Sequence, residues 1–184
     1  MNGDSNAGAL PTPCTLRPLQ QADVAAVAAI MVANSLWQRY GVTTAAAASR
    51  LHAGLESGAT IVVAEVDRAV AGFVWYVAGG AFQRSGYIML IGVDPGVQGQ
   101  GIGHALLEHA EAALFAAADS ILLLVSDFNT AAQSFYRRHG YEQVGAISDY
   151  VATGVGELIF FKRRPLRQQS SRSLEPADDS HIPR

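Results

Sequence analysis

The sequence predicts an α/β chain, a mixed α+β sheet with helices on both sides, in the order β-α-α-β-β-β-α-β-α-β-β. Three observations carry this. Two continuous apolar runs, 88–93 and 121–125, read as strands inside a sheet, the second as one buried on both faces. Each run is followed by a helix-start signal, a glycine-rich turn at 99–103 after the first and Asn129-Thr130 after the second. Shorter apolar or β-branched runs at 60–66, 70–77, 141–144 and 157–162 supply further strands.

Taken in order, Thr15, Leu16 and Arg17 before Pro18 form a short first strand. Asp23 opens a helical pattern through Val24, Val27, Ile30, Met31 and Leu36, with Trp37 and Tyr40 near its end and Gly41 breaking it. Trp37 and Tyr40 read as core. Thr43 or Thr44 caps a second helix to about Leu55, before Ser57-Gly58. Strands 60–66 and 70–77 form a hairpin turned by Asp67-Arg68, and Gly79-Gly80 leads the chain on to strand 88–93. Asp94-Pro95 stops that strand, because proline cannot donate to a ladder. From Ile102 the spacing turns helical: Ile102, Leu106 and Ala113 fall within roughly 40° of one another, with His104, Glu108 and Glu111 opposite. After strand 121–125, Ala132, Phe135, Tyr136 and His139 share one face of a helix that Gly140 ends.

A chain of 184 residues, 49% hydrophobic and 16% charged, has the length of one domain and can bury a core without disulfides or metal. Residues 1–13 read as a flexible N-terminal tail and not a secretory signal, 14–164 as the folded domain, and 165–184 as a disordered C-terminal tail. The net charge of -3 argues against nucleic acid held by a general basic field, and no apolar run is long enough to span a membrane. Cys14 is the single cysteine and reads as inert. Without Cys/His ligand spacing, no metal is expected and the cytoplasm is the expected compartment.

The stretch 87–107 reads as an anion-binding device. A helix whose first turn is nearly devoid of side chains leaves its backbone N–H groups and positive dipole end open to a phosphate. The order here is G-x-G-x-G, at Gly99, Gly101 and Gly103. That is neither a P-loop, which needs a following Gly-Lys-Ser/Thr, nor the dinucleotide fingerprint G-x-G-x-x-G. A dinucleotide-dependent oxidoreductase therefore rests on glycine richness alone.

The glycine stretch resembles the acetyl-CoA motif Q/R-x-x-G-x-G/A of the GNAT N-acetyltransferase superfamily, met by Gln98, Gly101 and Gly103 after Val93-Asp94-Pro95. The stretch 129–141 is similar to the same family's N-x-x-A-x-x-x-Y-x-x-x-G-F, with Asn129, Ala132, Tyr136, Gly140 and Tyr141 in register. The resemblance implies a GNAT-like sheet with splayed central parallel strands and acetyl-CoA in the wedge between 88–93 and 121–125. It implies pantetheine pairing by the backbone of Ile91 and Val93, a pyrophosphate cradle of Gln98, Gly99, Gln100, Gly101, Ile102, Gly103 and His104, and a contact from Asn129. Asn129 also reads as a plain helix cap, His104 as a solvated helix position, and His109 as packing.

By the same resemblance the activity is transfer of an acetyl group to a primary amine, with Tyr136 as general acid and the Val93 N–H at the oxyanion. The implied partners are acetyl-CoA and an amine acceptor, a small molecule or a peptide amino end, with a homodimer left open. The sequence departs from the family in two ways. Neither strand 88–93 nor strand 121–125 carries the glutamate many relatives place there, which leaves Asp127, or water held by Ser126 or Tyr87, as substitutes. Glutamines stand at 98 and 100 where a cation is common, shifting phosphate support to backbone donors and to Arg137 or Arg138. The missing carboxylates keep a non-catalytic acyl-CoA binding or sensing module as the alternative. The acceptor wall is expected from 34–44 and 147–156, with Trp37, Tyr40, Asp149 and Tyr150.

Overall fold

The computed structural model describes residues 13–57 and 59–165; the expected tails fall almost wholly outside them. Seven strands form one mixed sheet in the order β1-β2-β3-β4-β5-β7-β6. They are β1 (Thr15–Pro18), β2 (Thr60–Val66), β3 (Ala69–Ala81), β4 (Ser85–Val93), β5 (Ser120–Ser126), β6 (Glu142–Ser148) and β7 (Gly156–Arg163). All neighbours are antiparallel except β4 and β5. The β2–β3 turn places Asp67 and Arg68 at φ 49° and 66°, the left-handed pair that matches strand twist in a two-residue hairpin.

Helices α1 (Val24–Ala33), α2 (Ser35–Arg39) and α3 (Thr44–Glu56) cover one face of the sheet, and α4 (Ile102–Ala117) and α5 (Thr130–Arg138) the other. Each face has its own core. Val27, Met31, Leu51, Phe73 and Trp75 fill the first; Leu106, Leu114, Ile121, Leu123 and Phe160 fill the second. Arg17 on β1 ties the sheet edge to the first helix layer through Asp23 and Glu65, at 2.6 and 2.8 Å.

Five expectations are corrected. The single helix expected after Asp23 breaks at Asn34, whose backbone is extended (ψ 131°) while its side-chain amide donates back to the Ile30 carbonyl at 2.8 Å and across to the Val93 carbonyl at 3.2 Å. Strand β3 runs through Gly79-Gly80 to Ala81, and β6 runs from Glu142 to Ser148, beyond the expected 144. The buried stripe of α4 is Ile102, Leu106, Leu107, Ala110 and Leu114, with Ala113 exposed, because two adjacent leucines rotate the apolar face. Strand β5 is buried on one face only; Leu122 and Leu124 are half-buried on the other, where the sheet opens.

Candidate active site

The opening begins with a β-bulge. Leu90 faces Trp75 across β3 while Ile88 faces Tyr76, so Met89 has no partner there. A bulge bends its strand and increases its twist. Accordingly the parallel pairing of β4 with β5 stops at Gly86, Tyr87 and Ile88, and beyond Ile88 the strands diverge. The Asp94 N–H donates to the Ala71 carbonyl at 2.8 Å. With side-to-side alternation along β4, the main-chain groups of Val93 and Ile91 therefore face the gap. Behind them Trp37 stacks on Phe73 and packs so tightly on Gly92 that a Cβ there would lie 2.6 Å from the indole.

One cleft, of about 570 Å³, runs from this gap to the start of α4 and is lined by Ile91, Val93, Gln98, Gly99, Gly101, Ile102, Gly103, His104 and Asn129. Gly101 sits at φ 85° as the N-cap of α4 and caps nothing with a side chain, so first-turn N–H groups stay open. A Cβ built on Gly103 meets nothing nearer than 3.6 Å, and one on Gly99 nothing within 4 Å. The loop is thus an open backbone cradle that fits a phosphate. Gln98 lies in the cleft but is also a brace, its amide donating to Asn34 Oδ1 at 3.2 Å and to the Val93 carbonyl at 3.3 Å. Gln100 is half-buried and outside the lining.

Cations reach this cleft from α5. Arg138 lines it, whereas Arg137 turns away, over the Phe160 ring at 5.4 Å and against Gln143 at 3.2 Å. His139 Nδ1 donates to the Phe135 carbonyl at 2.8 Å, so its Nε2 accepts from His104 Nδ1, also at 2.8 Å. His104 is exposed, as expected of a solvated helix position, but is tied to α5 through His139 and has its Nε2 3.2 Å from Glu108 Oε1. Asn129 is the helix cap, its Oδ1 accepting from the Ala132 N–H at 3.1 Å, and it also lines the cleft, where its amide nitrogen has no partner among the described residues.

A second cleft, of about 400 Å³, lies on the other side of the gap, and the two share Trp37, Ile91, Asn129 and Tyr136. Tyr136 stands at the junction, packed among Phe135, Tyr141 and Phe160 with ring centroids 5.3, 5.5 and 6.2 Å away. Burial pushes its hydroxyl well above the ordinary tyrosine value, so it stays protonated throughout the physiological range.

The carboxylate of the second cleft is Glu157, which the sequence reading missed. It is 4% exposed, at the start of β7 opposite Ser126, and accepts from the Tyr40 hydroxyl at 2.5 Å. Tyr40 also bonds the Ser126 hydroxyl at 2.6 Å, and burial followed by the bond to Glu157 pushes the Tyr40 phenol up to about 12. Trp37, Tyr40 and Tyr150 line the cleft as expected, as do Ser126 and Tyr87. Two carboxylates do not. Asp149 accepts from Gly154 N–H at 2.5 Å inside its own loop, and Asp127 accepts from Gly156 N–H at 3.0 Å on the outer side of β5. Each short side chain satisfies a nearby turn N–H and so cannot reach the cleft. The one signal for Glu157 was a lone acid heading an apolar strand.

Sheet and clefts define a class of α/β protein in which a ligand cleft opens between two splayed parallel strands and ends on a glycine-capped helix. Residues 57–143, just under half of the chain, match the acetyltransferase (GNAT) domain family. A mycothiol acetyltransferase of Beutenbergia cavernae is 37% identical over 67 residues, 36% of this chain and 23% of the relative. A peptidyl-lysine N-acetyltransferase of Salmonella typhimurium is 31% identical over 94 residues, 45% of this chain and 62% of the relative. The chain thus spans less than two thirds of either. A ribosomal-protein-alanine N-acetyltransferase of Brucella melitensis matches in structure with a TM-score of 0.66 at 23% identity, covering 82% of this chain and 99% of that one. A Salmonella typhimurium protein solved with its cofactor acetyl-CoA matches at 0.64 and 17% identity, over 82% and 94%. These structural likenesses show the fold. No described helix is long and apolar enough to cross a membrane.

Proposed function

We propose that the protein is an acetyl-CoA-dependent N-acetyltransferase acting on a primary amine, working in a reducing cytoplasm. The observation that carries this reading is the meeting of two clefts at Tyr136, one ending in a bare helix N-terminus and the other holding a buried carboxylate. Acetyl-CoA, the co-substrate, supplies the activated acetyl group. Open N–H groups from Gly99 to Gly103, with Arg138 at the mouth, hold its pyrophosphate, and the outward main chain of Ile91 pairs with its pantetheine arm. The amide nitrogen of Asn129 donates to the same arm.

The acceptor arrives as an ammonium with a pKa near 10 for a lysine-like group. Glu157, through its bond to Tyr40, takes one proton, and the free amine then attacks the thioester carbonyl carbon. The Val93 N–H stabilises the oxyanion. As the C–S bond breaks, Tyr136 gives its proton to the sulfur and recovers one from the attacking nitrogen, leaving an amide, a free thiol and one proton released to solvent. Burial that keeps Tyr136 protonated also disfavours a bare thiolate beside it, so the transfer is matched.

The rival, an acyl-CoA sensing module, drew on the missing strand carboxylates, and Glu157 supplies one from another strand. The test is incubation of the pure protein with acetyl-CoA and a broad set of primary amines, following both free thiol and acetylated product. Stoichiometric thiol and acetyl-amine support catalysis. Tight CoA binding without product supports the sensor, and neither binding nor product refutes both.

A further inference from the structure

Resting on that reading, we propose that Asn34 is a positioning residue for acetyl transfer: together with Gln98 it binds the Val93 carbonyl and so fixes the Val93 N–H that meets the oxyanion. Position 34 lies where α1 ends and α2 begins. Its backbone serves both helices, the N–H donating to the Met31 carbonyl and the C=O accepting from the Gln38 N–H, each at 3.1 Å. An asparagine at such a place ordinarily turns its side chain onto the following helix as an N-cap. Here the side chain makes no bond to the first turn of α2. Its Nδ2 donates instead to the Ile30 carbonyl at 2.8 Å and to the Val93 carbonyl at 3.2 Å, while Oδ1 accepts from Gln98 Nε2 at 3.2 Å. Gln98 Nε2 also donates to the Val93 carbonyl, at 3.3 Å, which closes a ring of two amides and one peptide oxygen. Both hydrogens of each amide are thereby used. Asn34 lines the first cleft with no hydrogen left for a substrate, so its influence runs through Val93.

Strand geometry says what that influence is. An extended residue turns its own N–H and C=O to the same side, and those of Val93 face the gap. An oxyanion on the N–H therefore sits beside the lone pairs of the carbonyl. A bare carbonyl there would repel the developing charge, and two amide donors held on it oppose that repulsion before the reaction begins. The same donors hold the peptide still. Its oxygen is bound by Asn34 and Gln98, and its other end, the Asp94 N–H, by the Ala71 carbonyl at 2.8 Å. One residue back, Gly92 is packed under Trp37 of α2, the helix that starts after Asn34. With its carbonyl taken, Val93 has its N–H left for the reaction.

A brace that served folding alone would behave differently. The bond to Ile30 closes the end of α1 and contributes to stability, whereas the bonds to Val93 act where charge develops. Free CoA has no acetyl carbonyl and forms no oxyanion, so its affinity reports on the cleft without that contribution.

The test measures kcat and both KM values for the wild type, Asn34→Ala, Gln98→Ala and the double variant, using an amine that the wild type acetylates. Calorimetry with CoA and thermal melts are run on the same preparations. Asn34→Ala is expected to lower kcat about ten-fold, short of the roughly 10²–10³-fold loss that follows removal of a direct oxyanion donor, and to leave the Kd for CoA within about two-fold. Gln98→Ala should lower kcat about three-fold. The double variant should stay within about two-fold of Asn34→Ala, because Gln98 is oriented by Asn34 Oδ1 and both act on one oxygen. An unchanged kcat in Asn34→Ala overturns the inference, as does a loss carried by KM or by CoA affinity at constant kcat, or single effects that multiply in the double variant. Should Asn34→Ala fail to fold, Gln98→Ala, a change at an exposed loop position, decides, and an unchanged kcat there overturns the inference. If the wild type acetylates amines and the variants keep its kcat, this inference falls alone; if the wild type acetylates none, acetyl transfer and the inference fall together.

Discussion

Replacing Tyr136 with Phe removes one oxygen from the junction of the two clefts and leaves the ring among Phe135, Tyr141 and Phe160. The hydroxyl takes no hydrogen bond among the described residues, so its loss breaks no pair and stability should change by no more than about 0.5 kcal/mol. CoA affinity should likewise hold, because the cradle lies a helix away on α4. Turnover should fall roughly 10²-fold, or about 2.7 kcal/mol of barrier, the usual contribution of a positioned general acid. The assay is initial-rate thiol release at saturating amine, with calorimetry for CoA and a thermal melt on the same preparation. Because burial raises the Tyr136 pKa, the wild type should not lose activity through this group as pH rises to the ordinary tyrosine value. Unchanged turnover in Tyr136→Phe would refute the acid role. A fall in melting temperature that tracks the loss of activity would show the hydroxyl to be structural.

Three further outcomes follow from the geometry. Gly103→Val should abolish measurable CoA binding in a folded protein, since its Cβ meets Val93 and Phe135 only at 3.6 to 3.9 Å while its methyls enter the cradle; calorimetry and a melt check this. Gly101→Val is the poorer test, because a β-branched residue at φ 85° adds about 1–3 kcal/mol of backbone strain. Glu157→Gln keeps an acceptor for the Tyr40 hydroxyl but loses the proton sink, so kcat/KM should drop about 10²-fold at neutral pH and recover as pH approaches the amine's pKa; a pH-rate profile parallel to wild type would count against the base. Arg17 holds the Asp23 carboxyl below its ordinary value, so that pair contributes fully above the unfolded carboxylate pKa of 3.8 and is lost as pH falls through the lower folded value. Arg17→Met, with Arg17 partly exposed, should cost about 1–3 kcal/mol at pH 7 in urea melts and less at low pH, and an equal cost at both would contradict it.

What was legible in the sequence was local. The cradle at 98–103 and the cap at Asn129 are set by neighbours within a few residues, and Gly, Asn and Pro announce such backbone directly. The strand order of the hairpin and the helix after each central strand followed from the same punctuation. What escaped was made by distant partners. Glu157 becomes part of the site because β7 inserts between β5 and β6, bringing it opposite Ser126 and within reach of Tyr40, far away in sequence. The break at Asn34 depends on a carbonyl of β4, and the bulge at Met89 carries no glycine to mark it. Asp149 and Asp127 stand in the sequence as free acids, but Asp149 binds a turn N–H of its own loop and Asp127 the N–H of Gly156 at the head of β7.

The central claim is direct transfer between two adjacent clefts, with no acetyl group parked on the protein; Cys14, the single cysteine, packs at the edge of the core and lines neither cleft. Initial rates measured over a grid of acetyl-CoA and amine concentrations test this most directly. The account predicts double-reciprocal lines that intersect, with one thiol released for each amine acetylated. Parallel lines, or thiol release without acetylated amine, would contradict it.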